Sequence, residues 1–246
     1  AEEDIDVLTT CDSDEILLPD PDPDDVEMRV ARRVAETIPD GATIQLGIGG
    51  LPVAVCRALN GHRDLGVHSG VIPDGIVELV GKGVVTNARK GIDAGKVITG
   101  GLFGGRKLVD LADRNPSFEL RAADYTHSQA TLARINNLRA INSAIEVDLS
   151  GNVNAEVAGD RYLGAIGGQV DFVRGAFVSP GGRSIIALPS TTPDGKRSRI
   201  VSSLEGRPVT TSRADVDLVV TEYGVAELRG RSLTERAARL RAVAHP

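Results

Sequence analysis

The stretch Thr43-Ile44-Gln45-Leu46-Gly47-Ile48-Gly49-Gly50-Leu51-Pro52 decides how the fold is read. A short apolar strand over Thr43 to Leu46 runs into a glycine turn, and a helix opens near Pro52, whose missing N–H is no loss in a first turn. Strand, turn and helix make one βα unit. Upstream, Val26, Val30, Val34 and Ile38 recur at four-residue steps and predict a helix from about Asp25 to Ile38, stopped at Pro39-Asp40-Gly41. Downstream the unit repeats less clearly, with strands at Val84–Thr86 and Lys96–Thr99 and a helix around Arg106–Asp113. Alternation of this kind predicts an α/β fold, a mixed and mainly parallel sheet with flanking helices.

Later segments add antiparallel pieces. Ala140 to Leu149 and the chain from Val153 flank Ser150-Gly151-Asn152, a hairpin-type turn. Further strands are expected at Ser184–Leu188, Arg199–Ser203 and Leu218–Thr221, and a last helix at Leu233–Ala244. No repeat of fixed period occurs.

The net charge of -6 hides an asymmetry: residues 1–28 hold twelve of the 34 acidic residues and no Lys or Arg, leaving 22 acidic against 28 basic residues beyond. A mildly basic body can attract a phosphorylated small molecule, although plain solvated surface explains the charges equally well. Only 3% of residues are aromatic and no dense Lys/Arg stripe appears, so nucleic acid is not an expected partner. Pro19-Asp20-Pro21-Asp22-Pro23-Asp24-Asp25 reads as an extended connector, since alternating proline forbids helix and the charges repel. Residues 1–24 are thus expected to be an acidic linker whose upstream domain is absent, and residues 25–246 the folded domain. No apolar run reaches the ~18 residues of a membrane span and no leader opens the chain, so a cytoplasmic protein is expected. Cys11 and Cys56 lie outside any metal-ligand spacing, so neither a disulfide framework nor a metal site is expected.

Three glycine clusters stand out. Gly47-Ile48-Gly49-Gly50 resembles a dinucleotide fingerprint but has Pro52 where the third glycine belongs. What remains is a backbone open to close approach, followed by a helix start that favours a phosphate or oxyanion; a ligand-free tight turn is the plainer reading. Gly164-Ala165-Ile166-Gly167-Gly168-Gln169, between two strand-like stretches, offers backbone N–H groups and an amide that could stabilise the oxygen of an attacked thioester carbonyl. Ser179-Pro180-Gly181-Gly182-Arg183 reads as an ordinary turn.

In the strand Ile141-Asn142-Ser143-Ala144-Ile145-Glu146-Val147-Asp148-Leu149, alternation puts Asn142, Ala144, Glu146 and Asp148 on one face. Two carboxylates and an amide would project together; a polar edge facing solvent is the plainer reading. His68, His127 and His245 form no triad, because no serine sits at a nucleophile elbow, and each reads as a structural or surface histidine.

The string Ala140 to Leu149 resembles the segment that carries the catalytic glutamate in the acetyl-CoA hydrolase/transferase family, which includes 4-hydroxybutyrate and acetate-type CoA-transferases. Leu46-Gly47-Ile48-Gly49, Gly167 to Ala176, Ser198-Arg199-Ile200-Val201 and Val220 to Ala226 resemble the same family in the same order. The resemblance covers nearly everything from Asp25 to Pro246. It implies a CoA-transferase-like (NagB/RpiA/CoA transferase-like) C-terminal catalytic domain, with acyl-CoA and a small carboxylate as substrates and no permanently bound cofactor. Glu146 would be the nucleophile of a ping-pong reaction through a glutamyl-CoA thioester. Gly167, Gly168 and Gln169 would support the oxyanion, Gly47, Gly49 and Gly50 would pack against coenzyme A, and Glu222, in an expected strand-to-helix turn, is a competing carboxylate. A homodimer, or a complementing N-terminal domain or chain, is implied as partner. Acyl-CoA hydrolysis is a rival reading, and a non-catalytic CoA-binding or assembly module is another. The sequence departs from the family at Ala165, where glycine is frequent, and at Gly70, where glutamate often follows the His-Ser pair.

Overall fold

Asp24 opens the first helix. Its carboxylate accepts from Glu27 N–H at 2.8 Å, and the Glu27 carboxylate accepts from Asp24 N–H at 3.0 Å, a reciprocal cap that satisfies two otherwise unpaired donors. The computed structural model describes residues 6–7, 9, 17–18 and 21–246, so most of the expected acidic linker, Cys11 included, lies outside the described residues. In chain order the first elements are helix α1 (Asp25–Ala35), strand β1 (Thr43–Leu46), α2 (Gly50–Ala58), β2 (Gly66–Ser69), α3 (Gly75–Gly81), β3 (Val97–Thr99), α4 (Arg106–Ala112) and β4 (Phe118–Leu120). There follow α5 (Ala123–Thr126), α6 (Gln129–Leu132), β5 (Leu138–Ser143), β6 (Glu146–Asp148), β7 (Val153–Asn154), β8 (Val157–Ala158) and β9 (Arg161–Tyr162). The chain closes with α7 (Gln169–Val178), β10 (Arg183–Ala187), β11 (Ile200–Val201), β12 (Leu218–Thr221), β13 (Gly224–Glu227) and α8 (Leu233–Ala242).

Eight strands form the main sheet in the order β13-β12-β10-β5-β1-β2-β3-β4, parallel except for the edge strand β13. Its inner strands are buried on both faces, which explains their near-continuous apolar sequences, while the edge strands β4 and β13 are partly exposed. Ile185 and Ala187 pack with α1 and α2 residues such as Val30 and Val55, whereas Ile186 and Leu188 pack on the other side with Val173 of α7 and Leu240 of α8. From β1 the chain builds outward through β2, β3 and β4, then returns to place β5 on the opposite side of β1. Strand order therefore reverses between β1 and β5, and in open α/β sheets the carboxyl ends of the strands at such a point form a crevice.

Four expectations need correction. Val84–Thr86 is not a strand; Val85 makes one isolated bridge with Leu65. The single strand over Ala140–Leu149 breaks at Ala144-Ile145, because the neighbours β1 and β10 end at Leu46 and Ala187 and leave the backbone past Ser143 without partners. It finds new ones in a small sheet ordered β11-β6-β7, where Ile145 N–H donates to Asn154 C=O and Val147 N–H to Arg199 C=O. Asn142 and Glu146 thus belong to different sheets and share no face by alternation. The chain after Gly168 is the helix α7 rather than a strand, since Phe172, Val173 and Ala176 bury one helical side despite their β-branched and aromatic neighbours. Glu222 sits in the tight turn of the β12–β13 hairpin, not in a strand-to-helix turn.

Candidate active site

At the reversal between β1 and β5 lies a crevice of about 220 Å³. Gln45, Leu46 and Gly47 come from the end of β1, Gly70 and Val71 from the loop after β2, and Asn142 from β5. Gly168, Gln169 and Phe172 close it from the start of α7, and His127 enters from the end of α5. Gln45 and Asn142 exchange amide hydrogen bonds at 3.3 and 3.0 Å across the two strands, so these buried polar groups are satisfied and stiffen the floor. Gly49 precedes α2 at φ +106°, a backbone that side-chain-bearing residues rarely adopt, and Gly167 precedes α7 at φ +55°. The N–H groups of Gly167, Gly168 and Gln169 find no acceptor among the described residues. Such donors at a helix start suit an anionic oxygen.

Glu146, at the start of β6, is only 8% exposed. Its Oε1 accepts from Asn154 Nδ2 at 2.8 Å and lies 2.8 Å from Arg207 Nε, while Oε2 has no partner among the described residues. Arg207 Nε gives its hydrogen to Leu204 C=O, so its contact with Glu146 is an ion pair rather than a hydrogen bond. Asn154 is itself locked: Oδ1 accepts from Glu156 and Val157 N–H, and Nδ2 also donates to Val157 C=O. The carboxylate is therefore held at one oxygen only, among the described residues. Glu146 is not among the crevice-lining residues; a chain of hydrogen bonds links its strand to one of them. Gln169 Nε2 donates to Thr211 Oγ1, and Thr211 N–H donates to Val153 C=O on β7, the partner strand of β6.

Asp148, the second carboxylate on β6, is spent on the hairpin. Its Oδ1 accepts from the N–H groups of Ser150, Gly151 and Asn152 and from Ser150 Oγ, and its Oδ2 from Asn152 Nδ2. Burial alone would raise its pKa, but the bonds from Ser150 and Asn152 prevail and hold it below the ordinary value. Glu222 has both oxygens engaged by Ser190, Oε1 with Oγ at 2.7 Å and Oε2 with N–H at 2.9 Å. Gly50 begins α2 with the Glu27 carboxylate where a Cβ would stand, 2.6 Å from that position. Among the described residues no cluster of three or more His, Cys, Asp or Glu could hold a metal, and no helix is long and apolar enough to cross a membrane.

The model of the acetyl-CoA hydrolase/transferase C-terminal domain matches residues 104–246. This chain belongs to the acetyl-CoA hydrolase/transferase family. The 4-hydroxybutyrate coenzyme A transferase of Clostridium kluyveri is 45% identical over 99% of this chain and 57% of its own length. RipA from Yersinia pestis superposes with a TM-score of 0.89 at 40% identity, covering 94% of this chain and 52% of that one. A 4-hydroxybutyrate CoA-transferase from Porphyromonas gingivalis gives 0.82 at 43% identity, over 94% and 54%. The chain spans about half the length of the curated relatives it matches. The CoA-transferase-like α/β fold expected from sequence is the fold of these family members, and the main sheet joins strands from both sides of residue 104.

Of the residues singled out in the sequence, Gly47, Gly168 and Gln169 meet in the crevice, with Gly167 beside them. Gly49 and Gly50 start α2, Glu146 lies outside the crevice lining on β6, and Glu222 is tied to Ser190. Asn154 and Arg207 escaped sequence reading, because no local pattern pairs them with Glu146; the hairpin around Ser150-Gly151-Asn152 was the one available hint for Asn154. His127 read as structural, yet its ring reaches the crevice. His68 is fully buried and its Nε2–H donates to Thr126 C=O at 3.0 Å, in keeping with a structural histidine.

Proposed function

We propose that this chain carries the nucleophile of a CoA-transferase that moves coenzyme A between a short-chain acyl-CoA and a small, acetate-like carboxylate. Glu146 attacks the thioester carbonyl and expels CoA thiolate, leaving an acyl-glutamyl anhydride. The thiolate then attacks the glutamyl carbonyl, the first carboxylate departs, and a glutamyl-CoA thioester remains. A second carboxylate takes CoA from Glu146 by the same steps in reverse. A carboxylate is a weak nucleophile, so dividing the transfer into exchanges at a sheltered site lowers each barrier.

The observation that carries this reading is the one-sided grip on Glu146: Oε1 bound by Asn154 and paired with Arg207, Oε2 without a partner among the described residues. Glu222 offers no oxygen without a partner, which favours Glu146 as nucleophile. The N–H groups of Gly167, Gly168 and Gln169, without an acceptor among the described residues, suit the developing oxyanion. Gly47, Gly49 and Gly50 are assigned to close packing against CoA, which is substrate rather than resident cofactor. Residues 25–246 would form the catalytic domain, completed by a homodimeric partner or by a complementing N-terminal domain or chain.

Initial rates with acetyl-CoA and varied carboxylate test the reading. Parallel double-reciprocal lines and CoA transfer that requires the acceptor support it; CoA release independent of acceptor makes the protein a hydrolase. The half-length match favours one further reading, an assembly module that binds CoA without turnover. That reading holds if activity appears only after an N-terminal chain is added and no group on Glu146 is modified.

A further inference from the structure

His127 presents a polar atom to the crevice that the transfer chemistry above does not use. Thr126 Oγ1 lies 2.8 Å from its Nδ1 and the Phe172 ring packs 4.7 Å from its centroid, so the imidazole is fixed from behind and from the side. Its Nε2 has no hydrogen bond among the described residues. The ring edge occupies room that only two glycines leave: a Cβ on Gly168 would stand 2.3 Å from Nε2, and one on Gly70 2.8 Å from it. Leu46, Val71 and Phe172 supply the apolar part of the crevice lining, while its amides Gln45, Asn142 and Gln169 are already engaged with one another or with Thr211. At about 220 Å³ the crevice has the scale of a short acyl group, below the roughly 300 Å³ at which drug-sized pockets begin. Glu146 lies four residue steps along the chain from Asn142 on its floor, a reach of at most about 14 Å.

We infer that His127 is a specificity-determining residue that recognises an oxygen at the far end of a short acyl chain whose carbonyl is presented to Glu146. The shared chemistry is a terminal hydroxyl or carboxylate hydrogen-bonded to Nε2, with the intervening methylenes against Leu46, Val71 and Phe172. This rests on the reading of Glu146 as nucleophile. A plain alkyl end would strip water from Nε2 and return no partner, weakening binding by about tenfold or more relative to an oxygenated chain of equal length.

The test is equilibrium binding by titration calorimetry, using the full chain with Glu146→Ala to prevent turnover. The probes are butyryl-CoA, 4-hydroxybutyryl-CoA and succinyl-CoA, and each is measured again after adding His127→Phe or His127→Gln. The expected result is a preference of about tenfold or more for at least one oxygenated thioester, lost with His127→Phe and partly restored with His127→Gln. Comparing the two oxygenated probes separates hydroxyl from carboxylate recognition. In parallel, long-range proton–nitrogen spectra of the imidazole should show the Nε2 resonance moving with the preferred probe and not with butyryl-CoA. Equal binding of all three, or a preference that survives His127→Phe, overturns the assignment of His127 and leaves Glu146 untouched. Binding of none overturns the assignment of this crevice to the acyl chain, and the covalent labelling of Glu146 remains the separate test of the nucleophile.

Discussion

Replacing His68 by glutamine and unfolding both proteins with urea from about pH 7.5 to pH 4 isolates one buried imidazole. His68 lies on β2, fully buried, with Nε2 3.0 Å from Thr126 C=O and Nδ1 without a partner among the described residues. Burial, and next the Lys90 ammonium, lower its pKa from 6.5 to about 4, with His127 adding in the same direction; the Thr126 carbonyl and Asp93 oppose them. Below about pH 6.5 the unfolded chain takes up a proton that the folded ring refuses. Stability supplied by the neutral ring is therefore complete above that pH and drains away as pH falls towards 4. About 2.5 pK units at 1.36 kcal/mol each amount to about 3 kcal/mol, a large share of the roughly 5–15 kcal/mol of a typical domain. Glutamine keeps a donor for Thr126 C=O and has no proton to bind. The stability difference between wild type and variant should thus shift by about 3 kcal/mol against the wild type over this range. Curves that stay parallel would refute the buried, neutral histidine.

Asp148→Ala should destabilise by about 2–3 kcal/mol, because the hairpin loses a charged acceptor shared by several donors. As the Asp148 pKa is held low, its contribution is present above the ordinary carboxylate range and lost on acidification beneath it, so the variant should show the smaller acid-induced decrease in urea midpoint. Gly168→Ala puts a methyl 2.3 Å from His127 Nε2. It should lower thermal stability by about 1–3 kcal/mol and shift the His127 ring resonances; an unchanged ring spectrum would contradict the contact. Arg207→Gln removes the countercharge of a buried carboxylate. With Arg207 about a third exposed, a loss of about 1–3 kcal/mol is expected, recovered in large part by adding Glu146→Gln, as a double-mutant cycle would show.

The sheet was legible where sequence is locally decisive. Thr43–Leu46, Leu218–Thr221 and the start of α1 at Asp25 fall where apolar spacing and capping residues put them. The break after Ser143 was not legible, since Ala144-Ile145 carries no turn signal; the lengths of the neighbouring strands β1 and β10 end the pairing there. Likewise α7 is rich in valine and phenylalanine, and only burial of Phe172, Val173 and Ala176 against the sheet makes it helical. In the site, glycines signalled loops that approach a ligand, but the partners of Glu146 lie eight and 61 positions further along the chain, at Asn154 and Arg207, where no local periodicity connects them. His127 escaped because a lone histidine says nothing of the two glycines that admit its ring, 57 and 41 positions away.

Glu146 as covalent carrier is tested most directly by intact-mass and peptide mapping after incubation with acetyl-CoA, with borohydride reducing any glutamyl thioester to the stable alcohol. Modification confined to Glu146 and absent from Glu146→Ala is the predicted result. Labelling at Glu222 instead, or an unmodified Glu146 in a preparation that transfers CoA, would contradict it.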